Sequence, residues 1–287
     1  MTRIRLIAAL VMAPTAIAAI LLLPTAWLVT LAAVVFLMGL WEWYDLSDID
    51  ETLAKTVLLL AHLALMVALV WASRSGSGFS FALFELATLV GVIWWLLALV
   101  WLGRYQFASD HTTHARVFKL AAGALAIIPA WCALGWLHAS DPTVSLVGSI
   151  PKGHFWLLTA LMMVWAADSG AYFVGRQFGR HKLSPRISPN KTVEGLIGGL
   201  VAGVAMALAI SLLAGAERSQ LPAIALVAMV ATLFSVAGDL FESLLKRHAG
   251  VKDSGTLIPG HGGVLDRLDG VLAALPAFAL GKGLMGF

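Results

Sequence analysis

Charge is scarce in this sequence: only 12% of its 287 residues are Asp, Glu, Lys or Arg, against 60% that are hydrophobic. A soluble domain usually carries about 25% charge, so most of this surface needs lipid rather than water as its solvent. Cysteine is almost missing. Cys132 stands alone in an apolar run, which excludes an intrachain disulfide and argues against a cysteine-based metal site. The phosphate-binding loop GxxxxGK followed by Ser or Thr is missing, and so is the Gly-rich dinucleotide fingerprint. No block of soluble-domain size interrupts the apolar runs, and no repeat or low-complexity tract stands out. The formal net charge is +3. We read it loop by loop as an orientation signal and infer no nucleic-acid partner from it.

What the chain does have is long apolar runs. A spanning helix needs about 20 mostly apolar residues. Nine runs qualify, at about 6–23, 25–43, 53–72, 81–102, 117–138, 154–175, 193–214, 221–242 and 265–286. The first follows Arg3 and Arg5, as a secretory signal would, but Pro24 and Thr25 lead straight into the second run, which favours a retained helix. The pattern predicts an all-α fold, a polytopic membrane helical bundle of about nine transmembrane helices. Residues 1–287 read as a single integral membrane domain, with N-terminal spans over about 1–138 and the catalytic spans and loops over about 154–287. A cytoplasmic N-terminus with alternating spans puts 15 of the 19 Lys and Arg residues on the cytoplasmic side, as the positive-inside rule requires. The absence of an evident organelle-targeting segment fits a bacterial inner membrane.

Two clusters of polar residues break the apolar pattern. One runs from Asp239 to Asp269 and carries Asp239, Lys246, Arg247, Lys252, Asp253, His261, Asp266, Arg267 and Asp269. Ionisable groups at membrane depth are costly and usually face a partner or a water-filled cavity. A merely solvated loop is a poor account of them. Asp239 and Glu242 close one apolar run, while Asp266 and Asp269 open another, three residues apart and so on one helix face. Carboxylates are hard oxygen ligands suited to Mg²⁺, which also shares phosphate oxygens. Lys246, Arg247, Lys252 and Arg267 suit phosphate charge. Carboxylates alone would suit a cation channel and basic residues alone an anionic lipid surface. Both together suit metal-assisted phosphoryl or nucleotidyl transfer, with Asp239, Asp266 and Asp269 as candidate metal ligands.

The second cluster holds Asp168 inside an apolar run, then Gly175 and Gly179 at GxxxG spacing, Arg176, Arg180 and Lys182, and finally Ser188-Pro189-Asn190-Lys191-Thr192 before Glu194. Thr192 is a candidate helix N-cap, and Lys191 a candidate phosphate contact. Gly195, Gly198, Gly199 and Gly203 predict a helix-packing face. In the N-terminal half, Glu42, Asp45, Asp48, Asp50 and Glu51 read as a solvated acidic loop. The eleven tryptophans, Trp41, Trp43, Trp94 and Trp95 among them, read as interfacial anchors.

The stretch Ser243 to Asp269 fits Ser-x-x-Lys-Arg, four residues, Lys-Asp-x-Gly, three residues, Pro-x-His-Gly-Gly, two residues, Asp-Arg-x-Asp at every place. In this, and in Asp168 to Glu194, the sequence resembles the CDP-diacylglycerol synthases, or phosphatidate cytidylyltransferases. The motifs cover roughly the C-terminal 40% of the chain. The resemblance implies an enzyme that joins CTP to phosphatidic acid, giving CDP-diacylglycerol and pyrophosphate. It also implies Mg²⁺, with a monovalent cation such as K⁺ as a candidate second ion, and a homodimer in the membrane lipid. By position it makes Asp239, Asp266 and Asp269 the metal ligands. Lys246, Arg247, Lys252, Asp253, His261 and Arg267 fall in the catalytic signature, and Asp168 and Lys191 in the upstream motif. The readings from other classes are an ion-coupled transporter using Asp168 and Asp239, and a CDP-alcohol phosphotransferase, whose acidic motif lacks its expected Ala-Arg after Asp269-Gly270.

Overall fold

The protein is described from a computed structural model covering residues 2–76, 78–257 and 262–287, with Thr2–Ala9 and Ser75 followed by backbone alone. His261 lies outside the described residues. Among those described there are nine α-helices: α1 Thr2–Leu22, α2 Thr25–Leu46, α3 Thr52–Ala72, α4 Ala82–Gly103, α5 Thr113–Ala139, α6 Lys152–Phe178, α7 Val193–Leu213, α8 Leu221–His248 and α9 Leu265–Met285. From α2 to α9, all eight are long and apolar enough to cross a membrane, and α1 is an apolar helix over Leu10–Leu22. The predicted helical bundle is therefore the observed architecture. Two antiparallel ribbons add a little sheet: β1 Arg74–Ser75 with β2 Gly78–Phe79, and β3 Lys182–Ser184 with β4 Ser188–Thr192. Sequence periodicity missed the second ribbon because it is short and contains Pro189. A proline is tolerated where a strand has a free edge.

Helix starts follow local chemistry. Thr112 accepts a hydrogen bond from the Ala115 amide at the start of α5, and Thr192 accepts one from the Gly195 amide at the start of α7. The second is the N-cap read from the sequence. The α6–α7 contact is the most extensive in the bundle, and glycine makes it possible. A Cβ on Gly198 would lie 2.5 Å from Val174, and one on Gly199 would lie 2.8 Å from the Ala167 carbonyl oxygen. Helices in lipid associate through such close packing rather than through a hydrophobic drive.

The tryptophans divide. Trp27 and Trp71 are well exposed, as interfacial anchors should be, but Trp43 and Trp95 are fully buried. Trp43, Trp94, Trp95 and Trp101 surround Phe241 of α8, with ring centroids 5.2–6.1 Å away. Three of these indoles find acceptors inside the protein, Trp43 at the Lys119 carbonyl, Trp95 at the Leu272 carbonyl and Trp101 at the Phe107 carbonyl, while the Trp94 Nε1 is buried without one among the described residues. A buried indole N–H usually finds such a partner. The anchoring expectation is thus corrected for this group, which braces α2 and α4 against α8 and α9.

Gly199→Val is expected to destabilise the fold by about 1–3 kcal/mol through overpacking against rigid backbone, read as a lower Tm in detergent. An unchanged Tm would mean that α6 and α7 do not depend on this close approach.

Candidate active site

The polar clusters meet at one end of the bundle, where α6, α8 and α9 converge with the β3–β4 ribbon and the loop residues 249–257 and 262–264. Gly238 lets α8 and α9 cross closely, because a Cβ there would overlap the Asp269 carbonyl oxygen. That crossing sets Asp239 beside Asp269. Asp269 feels the charges of Asp239, Glu242 and Asp168, and Asp168 feels those of Asp239, Lys191 and Arg267. Three carboxylates from three helices, Asp168, Asp239 and Asp269, therefore share one electrostatic neighbourhood, whereas the sequence motifs group Asp239 and Asp269 with Asp266.

A cavity of about 510 Å³ opens beside them, lined by Asp168, Lys191 and Asp239 together with Asn190, Arg176 and small residues of α6 and α7. Its size falls within the roughly 300–1,000 Å³ usual for small-molecule sites. Lys191 Nζ stands 2.5 Å from Asp239 Oδ2, joining the ribbon to α8. The ribbon is itself fixed at its root. Glu194, in the first turn of α7, accepts from the amides of Arg180 and His181 and lies 2.6 Å from His181 Nδ1. Arg247 braces the other end of the ribbon by donating to the Ile187 carbonyl. The apolar wall of the cavity continues towards exposed Tyr172 and Phe173, and Arg176 donates to the Tyr172 hydroxyl at 3.1 Å.

The second part of the site is a closed ionic network. Lys246 Nζ lies 2.5 Å from Glu242 Oε2 and 2.7 Å from Asp266 Oδ1, with side-chain exposures of 12%, 2% and 9% respectively. Asp266 Oδ2 accepts from the amides of Ser254 and Gly263. Gly262 has φ +83°, and a Cβ on it would stand 2.6 Å from Asp266 Oδ2. Only glycine combines that dihedral with that approach. Lys246 is thus engaged by two carboxylates, whereas Lys252, Asp253 and Arg267 are exposed around the site.

The N-terminal half also reaches this region, through a residue the sequence reading placed in a solvated loop. Glu42 of α2 is only 7% exposed. It accepts from the Ser254 hydroxyl at 2.9 Å, the Val264 amide at 2.9 Å and the Leu265 amide at 2.8 Å. A Cβ on Gly263 would overlap both Glu42 Oε2 and the Ser254 hydroxyl. The solvated-face expectation also changes for Asp48, which pairs with fully buried Lys119 and with His111, whereas Asp45 stays exposed while pairing with Lys55. The available signal was Trp41-Glu42-Trp43 closing an apolar run, since a carboxylate at such depth needs partners.

Among the described residues, no group of three or more carboxylate, histidine or cysteine side chains stands ready to hold a metal ion by itself. Mg²⁺ takes one or two carboxylates and completes its shell with water and substrate phosphate. The donor set of Asp239 and Asp269 fits that chemistry. Asp266 Oδ1 accepts only Lys246 among the described contacts and keeps further acceptor capacity.

Removing Lys246 would strand two buried carboxylates. Lys246→Met is expected to destabilise the protein by about 3–5 kcal/mol, measured by thermal unfolding in detergent. Wild-type stability in that variant would show that the α8–α9 junction does not rest on this ion cluster.

Comparison with known proteins agrees with the geometry. The cytidylyltransferase family pattern matches residues 3–282. A phosphatidate cytidylyltransferase of Pseudomonas aeruginosa is 36% identical over 279 residues, covering 97% of this chain and 96% of its own. That of Haemophilus influenzae is 34% identical over 287 residues, covering 97% and 98%. That of Bacillus subtilis is 47% identical over a shorter 128 residues, 43% and 46% of the two chains. With carboxylates, basic groups and cavity gathered at one end of the bundle, and with the match running almost end to end, the chain belongs to the cytidylyltransferase family.

Proposed function

We propose that this protein is a phosphatidate cytidylyltransferase, converting CTP and phosphatidic acid to CDP-diacylglycerol and pyrophosphate. The observation that carries the reading is a cavity lined by Asp168, Asp239, Lys191, Arg176 and Asn190 together with apolar and small residues of α6 and α7, with Asp269 within electrostatic reach of both aspartates. A soluble nucleotide needs the polar side of such a site, and a lipid phosphate with its acyl chains needs the apolar side. Exposed Tyr172 and Phe173 beside Arg176 suit the interfacial depth at which a lipid headgroup sits.

The phosphate monoester of phosphatidic acid is already an anionic nucleophile. One of its oxygens forms a bond to the α-phosphorus of CTP while the bond from that phosphorus to the bridging oxygen of the β-phosphate breaks, and pyrophosphate departs with that electron pair. No strong base is required, only relief of repulsion between anions. Lys191 lines the cavity and Arg267 lies within electrostatic reach of Asp168, so both are placed to neutralise phosphate oxygens. Lys252 and Arg247 extend the basic rim, and His261 belongs to the same signature. Asp239 and Asp269, with Asp266 one turn earlier, would hold Mg²⁺, which supplies positive charge to offset the triphosphate. Fixed groups of this kind act where charge develops during transfer.

The positive-inside count supports a cytoplasmic position for this end of the bundle, on the side where CTP is dissolved. A multi-pass protein of a bacterial inner membrane, acting as a homodimer, is the setting we propose.

Purified protein is expected to release pyrophosphate only when CTP, Mg²⁺ and phosphatidic acid are all present, with a liponucleotide as the second product. Release independent of the lipid would refute the assignment. Asp269→Asn should lower turnover by roughly two orders of magnitude, the scale on which a single charge-stabilising group acts. Full turnover with ordinary Mg²⁺ dependence in that variant, or in Asp266→Asn, would remove the residue from the metal site.

A further inference from the structure

We propose that Glu42 is a positioning residue for the reaction, holding the start of α9 so that Asp266 and Asp269 face the site. The inference rests on the assignment of those two aspartates given above, and it gives the N-terminal half a part in the chemistry.

The start of α9 has no side-chain cap of its own. Val264 occupies the cap position and offers no side-chain acceptor to the first-turn amides. Those amides must be satisfied from elsewhere. Glu42 does this from another helix, taking the Val264 amide on Oε1 and the Leu265 amide on Oε2. A negative charge is also favoured there, because a helix N-terminus carries partial positive charge. The same Oε2 takes the Ser254 hydroxyl, and Ser254 in turn gives its amide to Asp266. Glu42 therefore grips the signature loop on one side and the helix on the other, and Asp266 is the residue that both lead to.

No cation among the described ion pairs neutralises Glu42. Among the described residues its partners are hydrogen-bond donors from the loop and from α9. A carboxylate buried on these terms ties its donors to one arrangement. Gly255 and Gly263 leave room for it, since a Cβ on either would collide with the carboxylate. The body of α2 is fixed independently, through Trp43 against Phe241 and its bond to the Lys119 carbonyl. Glu42 thus reaches the loop from a rigid base.

The test compares E42Q and S254A with wild type as full-length protein in detergent. In E42Q the side-chain amide has the right shape, but it can offer an acceptor to only one of the two backbone amides. Hydrogen exchange at Val264 and Leu265 should accelerate. Turnover should fall by roughly 10–100-fold, the usual cost of losing a group that orients a metal ligand, and the Mg²⁺ concentration for half-maximal rate should rise. Unchanged exchange at these amides would overturn the proposal. Faster exchange with wild-type turnover and Mg²⁺ dependence would overturn it too, reducing Glu42 to a fold clamp. Should E42Q fail to fold, S254A carries the test, because it removes the hydroxyl bond while leaving both Glu42–amide bonds in place. It should move exchange, turnover and Mg²⁺ dependence in the same directions by less, and wild-type values of all three would count against the proposal. Asp269→Asn separates this inference from the site assignment. That variant should keep wild-type exchange at Val264 and Leu265, so full activity in it would sink the assignment while leaving the E42Q exchange result standing.

Discussion

Asp266 is held from three directions, by the Lys246 ammonium and by the amides of Ser254 and Gly263, and the site end of the bundle is organised around that grip. A carboxylate at the start of a membrane helix has little water to turn to. It must be matched by fixed donors or it will not remain ionised there. Matching it draws together the end of α8 through Lys246, the signature loop through Ser254, and the glycine turn through Gly263. Lys246 needs Glu242 as well, and the loop needs Glu42. The charged residues of the signature are therefore a structure before they are a site.

This division explains why some residues were legible in the sequence and others were not. Asp239, Asp266 and Asp269 stand out because carboxylates at the ends of apolar runs have few bland explanations. The structure gathers Asp239 and Asp269 with Asp168 at one end of the bundle and ties Asp266 into the adjoining network. The glycines at 195, 198, 199 and 203 were legible for the same reason, since their spacing has a direct packing meaning. As a sequence Lys246 reads as a contact for phosphate; its i, i+4 spacing from Glu242 allows that pair, but nothing in the spacing points to Asp266, across the loop. Glu42 was read as solvated because its neighbours in sequence are acidic, while its partners lie more than two hundred residues away. One sequence shows which groups demand partners more readily than which partners they find.

The tryptophans teach the same lesson from the apolar side. Composition and an interfacial preference suggest a belt at the membrane surface. The bundle instead uses four of them to wall in Phe241, immediately before Glu242 in α8. Large rings with internal acceptors make a stiff contact, and here they stiffen the helix turn that carries the ionic network. The N-terminal helices act through this packing and through Glu42, which accounts for a family match that begins near the first residue although the recognisable motifs do not.

The site joins a rigid part to an open one. The Glu242–Lys246–Asp266 network is nearly dry, with Lys246 held between two carboxylates, whereas Asp168, Lys191 and Asp239 line a cavity and are partly exposed. Transfer between two anionic substrates needs both. Preorganised charge is effective only if it does not reorient as the reaction proceeds, and the closed network supplies that stiffness. Substrates must nevertheless enter and leave, and a lipid must do so without drawing its acyl chains through water. An open cavity with one polar and one apolar side meets that need. The Lys191–Asp239 pair lies where the two parts meet: Asp239 belongs to the helix that carries the rigid network, and Lys191 to the ribbon that borders the cavity. A pair in that position can exchange its mutual contact for contacts to phosphate and metal, whereas Lys246 cannot leave its two carboxylates without stranding buried charge.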